Sequence, residues 1–220
     1  MMHNLNLVHP FEIIMKYKCL IFDMDGCLIN SNEVQKQSLK LAYDEVVGDN
    51  KQPTFEEYNK YTGDSLSNIF IKLGLPLTMV EPYRKYSKNL LTLNYIDPLL
   101  VSLIKEWRSQ DIKIAICTGK ERDRVIQILE YFNISHLFDA IVCSDDISKP
   151  KPYPDSILKC LEILNIKKED ALYLGDGNYD GIASNAAGVD FALTTWYSKI
   201  DISVTPKYIF SSMEELKRIP

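Results

Sequence analysis

Cys19-Leu20-Ile21-Phe22-Asp23-Met24-Asp25-Gly26 is the stretch on which the reading of this chain turns. Its first four residues form a short, unbroken apolar run, the pattern of a strand buried on both faces of a parallel sheet. Two carboxylates follow at once. Residues i and i+2 of an extended chain point the same way, so Asp23 and Asp25 converge on one site. Gly26 permits a tight turn away from it. Two carboxylates held close repel, and neither stays ionised cheaply without a cation or a proton between them. The pair therefore points to a metal, to acid–base chemistry, or to both.

Outward from this stretch the same kind of run recurs at 112–117 and 171–174, with weaker strand patterns at 140–143, 189–193 and 208–210. Helical periodicity occupies 98–109, 121–132, 154–164, 179–187 and 212–218. Strand and helix in alternation predict a Rossmann-like parallel α/β sheet with right-handed crossovers. Residues 31–95 break the rhythm, because helical patterns follow one another there without a strand. Thr54-x-x-Glu57 and Thr78-x-x-Glu81 have capping-box spacing, and Gly48, Gly63, Gly74 and Pro76 punctuate the segment. The expected organisation is an α/β core from residues 1–30 and 96–220, with a four-helix bundle, 31–95, inserted after the first strand.

A second acidic cluster, Gly175-Asp176-Gly177-Asn178-Tyr179-Asp180, follows the run at 171–174. Ligands of parallel α/β sheets bind beyond the carboxyl ends of the strands. A helix starting near Asn178 brings Asp176 and Asp180 to the crevice already occupied by Asp23 and Asp25. Oxygen donors without nearby His or Cys select a hard cation, and Mg²⁺ is the expected one. Thr118-Gly119, after the strand at 112–117, supplies a hydroxyl and backbone N–H groups for an anion. Lys149-Pro150-Lys151-Pro152-Tyr153-Pro154-Asp155 is stiffened by three prolines, so a lysine there presents its charge at a fixed place. Hydroxyl, amide, lysine and Mg²⁺ together are what the equatorial oxygens of a phosphoryl group require.

Composition narrows the field further. A hydrophobic fraction of 46% suffices for a packed core, and a net charge of −5 argues against nucleic acid as a partner. No run of 18 apolar residues predicts a membrane span. Five cysteines without metal-ligand spacing read as reduced thiols, mostly in buried strands, and imply a cytoplasmic protein. Met15, just ahead of the first strand, looks like an alternative start, and residues 1–14 are expected to be dispensable. The partner expected is a small-molecule phosphomonoester, and the expected assembly is a monomer or homodimer.

In combination, D-x-D-G-C-L, T-G, K-P-x-P-D and G-D-x-x-x-D resemble the motifs of the haloacid dehalogenase superfamily, in its phosphate-transferring branch. They occur in order between about residues 18 and 195. The inserted bundle resembles that superfamily's first type of cap. The resemblance implies that Asp23 is the nucleophile and forms an aspartyl-phosphate. It implies that Asp25 is the general acid and base, and that Thr118, Gly119 and Lys151 hold the phosphoryl group. It places Mg²⁺ on Asp23, the Asp25 carbonyl and Asp176, with Asp180 binding or orienting it. Lys149 competes with Lys151 for the lysine role, and the acid after the last proline favours Lys151.

Within the family, Asp25 argues against dehalogenation. Gly175-Asp176-Gly177 in place of E-D-S, and Gly63 followed by Asp64-Ser65-Leu66 without an arginine, favour a phosphatase over a sugar phosphomutase. A phosphonate hydrolase needs a cap lysine, for which Lys36, Lys40, Lys60 and Lys72 are available, and a phosphate-binding module without turnover needs no nucleophile and acid pair. The cap segments 42–48, 55–59 and 74–77 resemble phosphatases associated with 3-amino-5-hydroxybenzoate synthesis, which act on aminosugar phosphates. Phosphoglycolate phosphatases share the architecture. Asp64 and Ser65, in the loop Tyr61-Thr62-Gly63-Asp64-Ser65, are expected to face the crevice and contact substrate.

Overall fold

The computed structural model describes residues 15–49, 51–198 and 201–220. Six strands, β1 (Cys19–Phe22), β2 (Lys113–Cys117), β3 (Ala140–Val142), β4 (Ala171–Gly175), β5 (Asp190–Thr194) and β6 (Tyr208–Phe210), form one sheet. Its order is β3-β2-β1-β4-β5-β6, and every pairing is parallel. Burial on both faces explains the unbroken apolar runs. Leu20, Phe22, Ile114, Ile116, Leu172 and Leu174 pack on one side against α5 (Pro98–Ser109) and α6 (Arg122–Tyr131). Cys19, Ile21, Ala115, Cys117 and Tyr173 pack on the other against α7 (Asp155–Leu164) and α8 (Asn178–Ala187). Helix boundaries follow local chemistry. Asp97 caps α5 by accepting from the Leu99 amide at 2.8 Å, with Pro98 in the first turn, and α8 stops at Gly188, whose φ is +72°.

Between β1 and β2 lie α1 (Asn32–Val46), α2 (Phe55–Asn59), α3 (Leu66–Lys72) and α4 (Val80–Asn89). They close around a separate core that includes Leu39, Tyr43, Tyr58, Phe70, Met79 and Tyr83. The chain enters and leaves this bundle through one short antiparallel contact. Asn30 N donates to Tyr95 O at 2.8 Å, and Tyr95 N returns to Asn30 O at 3.1 Å.

Three expectations need correction and one lies elsewhere. Thr54 and Glu57 do form the capping box of α2, whereas Thr78 falls inside a 3₁₀ turn, Leu77–Met79. Helix α4 then starts at Val80 without a side-chain cap. The segment at 212–218 is a 3₁₀ helix, Met213–Arg218, in place of an α-helix. The five cysteines are unpaired and buried, but only Cys19 and Cys117 lie in strands. Cys160 sits on α7, and Cys27 and Cys143 sit in loops. Residues 1–14 fall outside the described residues.

Candidate active site

The sheet order puts β1 between β2 and β4, and the predicted site residues gather at the carboxyl ends of these three strands. The Asp23 amide extends the ladder by donating to Leu174 O at 2.8 Å. Asp23 as a whole is only 3% exposed. Lys151, 2% exposed, reaches in from the proline-rich loop. Its Nζ lies 2.6 Å from Asp23 Oδ1, 2.6 Å from Asp180 Oδ1 and 3.0 Å from the Tyr173 hydroxyl. Lys149 is exposed and lies over the Tyr153 ring instead, so the lysine at the site is Lys151.

Asp23, Asp176 and Asp180 are all buried, and each offers a carboxylate oxygen within 4.8 Å of the others. Ser198 Oγ donates to Asp176 Oδ2 at 2.5 Å, and the Gly177 amide donates to Asp180 Oδ2 at 3.0 Å. Gly26, at φ +75°, makes room for this cluster, since a Cβ there would lie 1.9 Å from Asp176 Oδ2. Three buried carboxylates facing one ammonium leave an excess of negative charge. An oxygen-only donor set of that charge fits a hard divalent cation. Burial pushes the Asp23 carboxyl up to about 7: Lys151 pulls it down, and Asp180 and Asp25 push it up. Burial, then Asp180 and Asp23, hold Asp176 well above the carboxylate range. Burial alone would lower Lys151, but Asp180 and Asp23 outweigh it and hold the ammonium above its usual value.

Asp25 does not join this cluster through its side chain. Its carboxylate accepts from Ser31 Oγ and pairs with Lys120 Nζ at 2.7 Å, while still lining the cavity beside Asp23. That cavity, about 460 Å³, lies between the strand ends and the helical bundle. Thr118 and Gly119 line its floor, and Tyr58, Ile69 and Tyr83 line its roof. The Thr118 hydroxyl accepts from the Lys120 amide at 3.2 Å. A Cβ on Gly119 would lie 2.5 Å from Asp64 O and 2.6 Å from Gly63 O, so the 61–65 loop rests directly on this glycine.

Asp64 and Ser65 have different surroundings. Asp64 lines the cavity but is buried, and its carboxylate accepts from Lys72 Nζ at 2.6 Å, Asn68 Nδ2 at 2.9 Å and Ser65 N at 2.7 Å. Ser65 caps α3 through the Asn68 amide and is not part of the cavity wall. Lys72 also contacts the Tyr179 hydroxyl at 2.7 Å. Burial lowers its pKa, but Asp64 and Tyr179 outweigh burial and raise it above the ordinary value. Lys36, Lys40 and Lys60 are exposed and lie outside the cavity. A Schiff base needs an amine facing substrate, and none of the four lysines lines the cavity.

Four further side chains complete the arrangement, and nothing in the sequence assigns them to the site: Ser31, Lys120, Tyr173 and Ser198. Tyr173 carried a signal, a phenol in the middle of a strand buried on both faces, where a hydroxyl must find a partner. It bonds Lys151 and, at 3.0 Å, Asp180 Oδ1, and burial pushes its pKa well up.

The sequence model of the haloacid dehalogenase-like hydrolases matches residues 20–194. The chain belongs to this family. Among curated relatives, the pyrophosphatase PpaX of Bacillus cereus (strain B4264) is 30% identical over 193 residues, 84% of this chain and 86% of that protein. A Clostridium acetobutylicum structure described as a predicted phosphatase is similar at 26% identity, covering 92% of this chain and 97% of the other, with a TM-score of 0.80. A Haemophilus somnus structure described as a predicted phosphoglycolate phosphatase shares the fold at 20% identity, covering 94% and 99%, with a TM-score of 0.81. In this haloacid dehalogenase-like hydrolase, Asp23, Asp25, Thr118, Lys151, Asp176 and Asp180 of the four motifs lie together near the strand ends, whereas Ser65 of the 61–65 loop does not line the cavity.

Proposed function

We propose that this hydrolase is a Mg²⁺-dependent phosphatase acting on a small phosphorylated metabolite. The observation that carries the reading is the pairing of buried Asp23 with Lys151 at 2.6 Å, beside Asp25 on the same cavity wall. Asp23 attacks phosphorus in line, forming an O–P bond as the ester P–O bond breaks. Asp25 delivers its proton to the leaving alkoxide. It then takes a proton from the water that cleaves the aspartyl-phosphate, releasing phosphate and regenerating Asp23. Lys120 and Ser31 hold Asp25 in place for both transfers. Thr118, the Gly119 amide and Lys151 receive the phosphoryl oxygens. Asp23, Asp176 and Asp180, with the Asp25 carbonyl, would hold a divalent cation, which would supply the charge neutralisation that a carboxylate needs to approach a phosphate dianion.

Residues 31–95 act as the cap, and residues 1–30 with 96–220 carry the chemistry. The five unpaired thiols support a cytoplasmic setting. The relatives named pyrophosphatase bring inorganic pyrophosphate onto the substrate panel, beside aminosugar phosphates, hexose phosphates, phosphoglycolate and nucleotides. The test is phosphate release from that panel with and without Mg²⁺, beside Asp23→Asn. A Mg²⁺-dependent hit, lowered at least about a thousandfold in the variant, is the expected outcome. Substantial turnover by Asp23→Asn sinks the reading, and an isomerised sugar phosphate in place of free phosphate selects a phosphomutase.

A further inference from the structure

Arg124 stands in the first turn of α6 and lines the cavity with Asp23, Thr118 and Gly119. The other cations on this wall have carboxylate partners: Lys120 with Asp25, Lys85 with Glu45, and Arg84 with both Glu81 and Glu121. Lys88 is an exposed, solvated exception. Among the described residues, Arg124 has no carboxylate within 4.0 Å. One terminal nitrogen donates to the Ser87 carbonyl, the other lies 3.5 Å from Gln127 Oε1, and the buried Nε has no partner among the described residues.

A guanidinium does not shed its charge at any working pH, so partial burial without an anion is unfavourable and stays so. Burial holds its pKa below the usual value, which Asp25 and Tyr83 only partly offset. The first turn of a helix is also the wrong end for a cation, because the helix dipole is positive there. The arrangement becomes favourable once an anion enters the cavity, and the fork geometry of the guanidinium suits a planar carboxylate or a phosphoryl group.

We propose that Arg124 is the specificity-determining residue of this cavity and docks a second anion, a carboxylate or a phosphoryl group, carried by the leaving group of the substrate. The inference rests on the phosphatase reading above and narrows it. Substrates with a short anionic leaving group are preferred over neutral sugar phosphates.

The test compares kcat/KM of the wild-type protein with Mg²⁺ for phosphoglycolate and inorganic pyrophosphate against 2-hydroxyethyl phosphate, whose leaving group is neutral. The anionic substrates are expected to lead by tenfold or more, and whichever of the two leads identifies the anion as carboxylate or phosphoryl. Arg124→Gln is expected to lose at least tenfold more on the better anionic substrate than on 4-nitrophenyl phosphate, mostly in KM. Arg124→Lys is expected to recover part of that selectivity. Equal losses on all substrates would show a purely structural tie to the Ser87 carbonyl and overturn the proposal. So would a wild-type protein that does not prefer the anionic substrates, a comparison that needs no variant. Absence of phosphate release from all of these substrates by the wild-type protein would instead refute the phosphatase reading beneath it.

Discussion

Lys151 carries the electrostatics of the site on one nitrogen. It faces Asp23 and Asp180 at the same 2.6 Å and is almost wholly enclosed. Removing one partner of a buried ion cluster leaves the others uncompensated. Lys151→Met is therefore expected to cost about 3–5 kcal/mol of folding stability as well as activity, read from urea unfolding in the absence of metal. A variant as stable as the parent would mean that the carboxylates are not clustered as described. The pH dependence of the metal-free protein follows from the same residues. The Asp23 pKa is about 7 when folded, against roughly 4 in an unfolded chain. Between those values the folded state binds more protons than the unfolded one, so stability falls as pH rises from about 4 to 7. Asp176, raised for the same reason, acts in the same direction. The melting temperature without metal should drop by several degrees between pH 5 and pH 8, and added Mg²⁺ should raise it more at pH 8. A melting temperature that rises with pH over this range would contradict the assignment.

At the scale of elements, the 61–65 loop and the turn after β2 touch so closely that only a glycine fits at position 119. Gly119→Ala forces the carbonyls of Gly63 and Asp64 away and should hold the cap partly open. The expected result is a fall in kcat/KM of about tenfold or more, with the fold and melting temperature near those of the parent, since the sheet is untouched. Unchanged kinetics would show that this approach is not needed in turnover. The elements themselves were legible wherever a strand is buried on both faces. β1, β2 and β4 announce themselves as unbroken apolar runs, and the acidic residues just after β1 and β4 mark the crevice. Lys151 was legible because prolines surround it. Its partner Tyr173 was legible only as a misplaced phenol, and Lys120, Ser198 and Arg124 not at all. Their roles come from long-range proximity, such as that of Asp176 and Ser198, 22 positions apart, which no local pattern records. The start of α4 was misread because a Thr-x-x-Glu spacing fits a capping box whether or not the threonine ends up inside the preceding turn.

Across the whole molecule, two cores divide the labour: a sheet packed on both faces that fixes the carboxylates, and a helical core over the cavity that presents Tyr58 and Tyr83 to it. They are joined at the paired amides and carbonyls of Asn30 and Tyr95, where the outgoing and returning chains run side by side. That junction makes the bundle a cassette. On the proposal that residues 31–95 act as the cap, a different helical segment spliced between these two positions would inherit their alignment above Asp23, and exchanging one contiguous stretch of gene should alter the bundle's share of substrate preference while Arg124 and the reacting groups stay where they are.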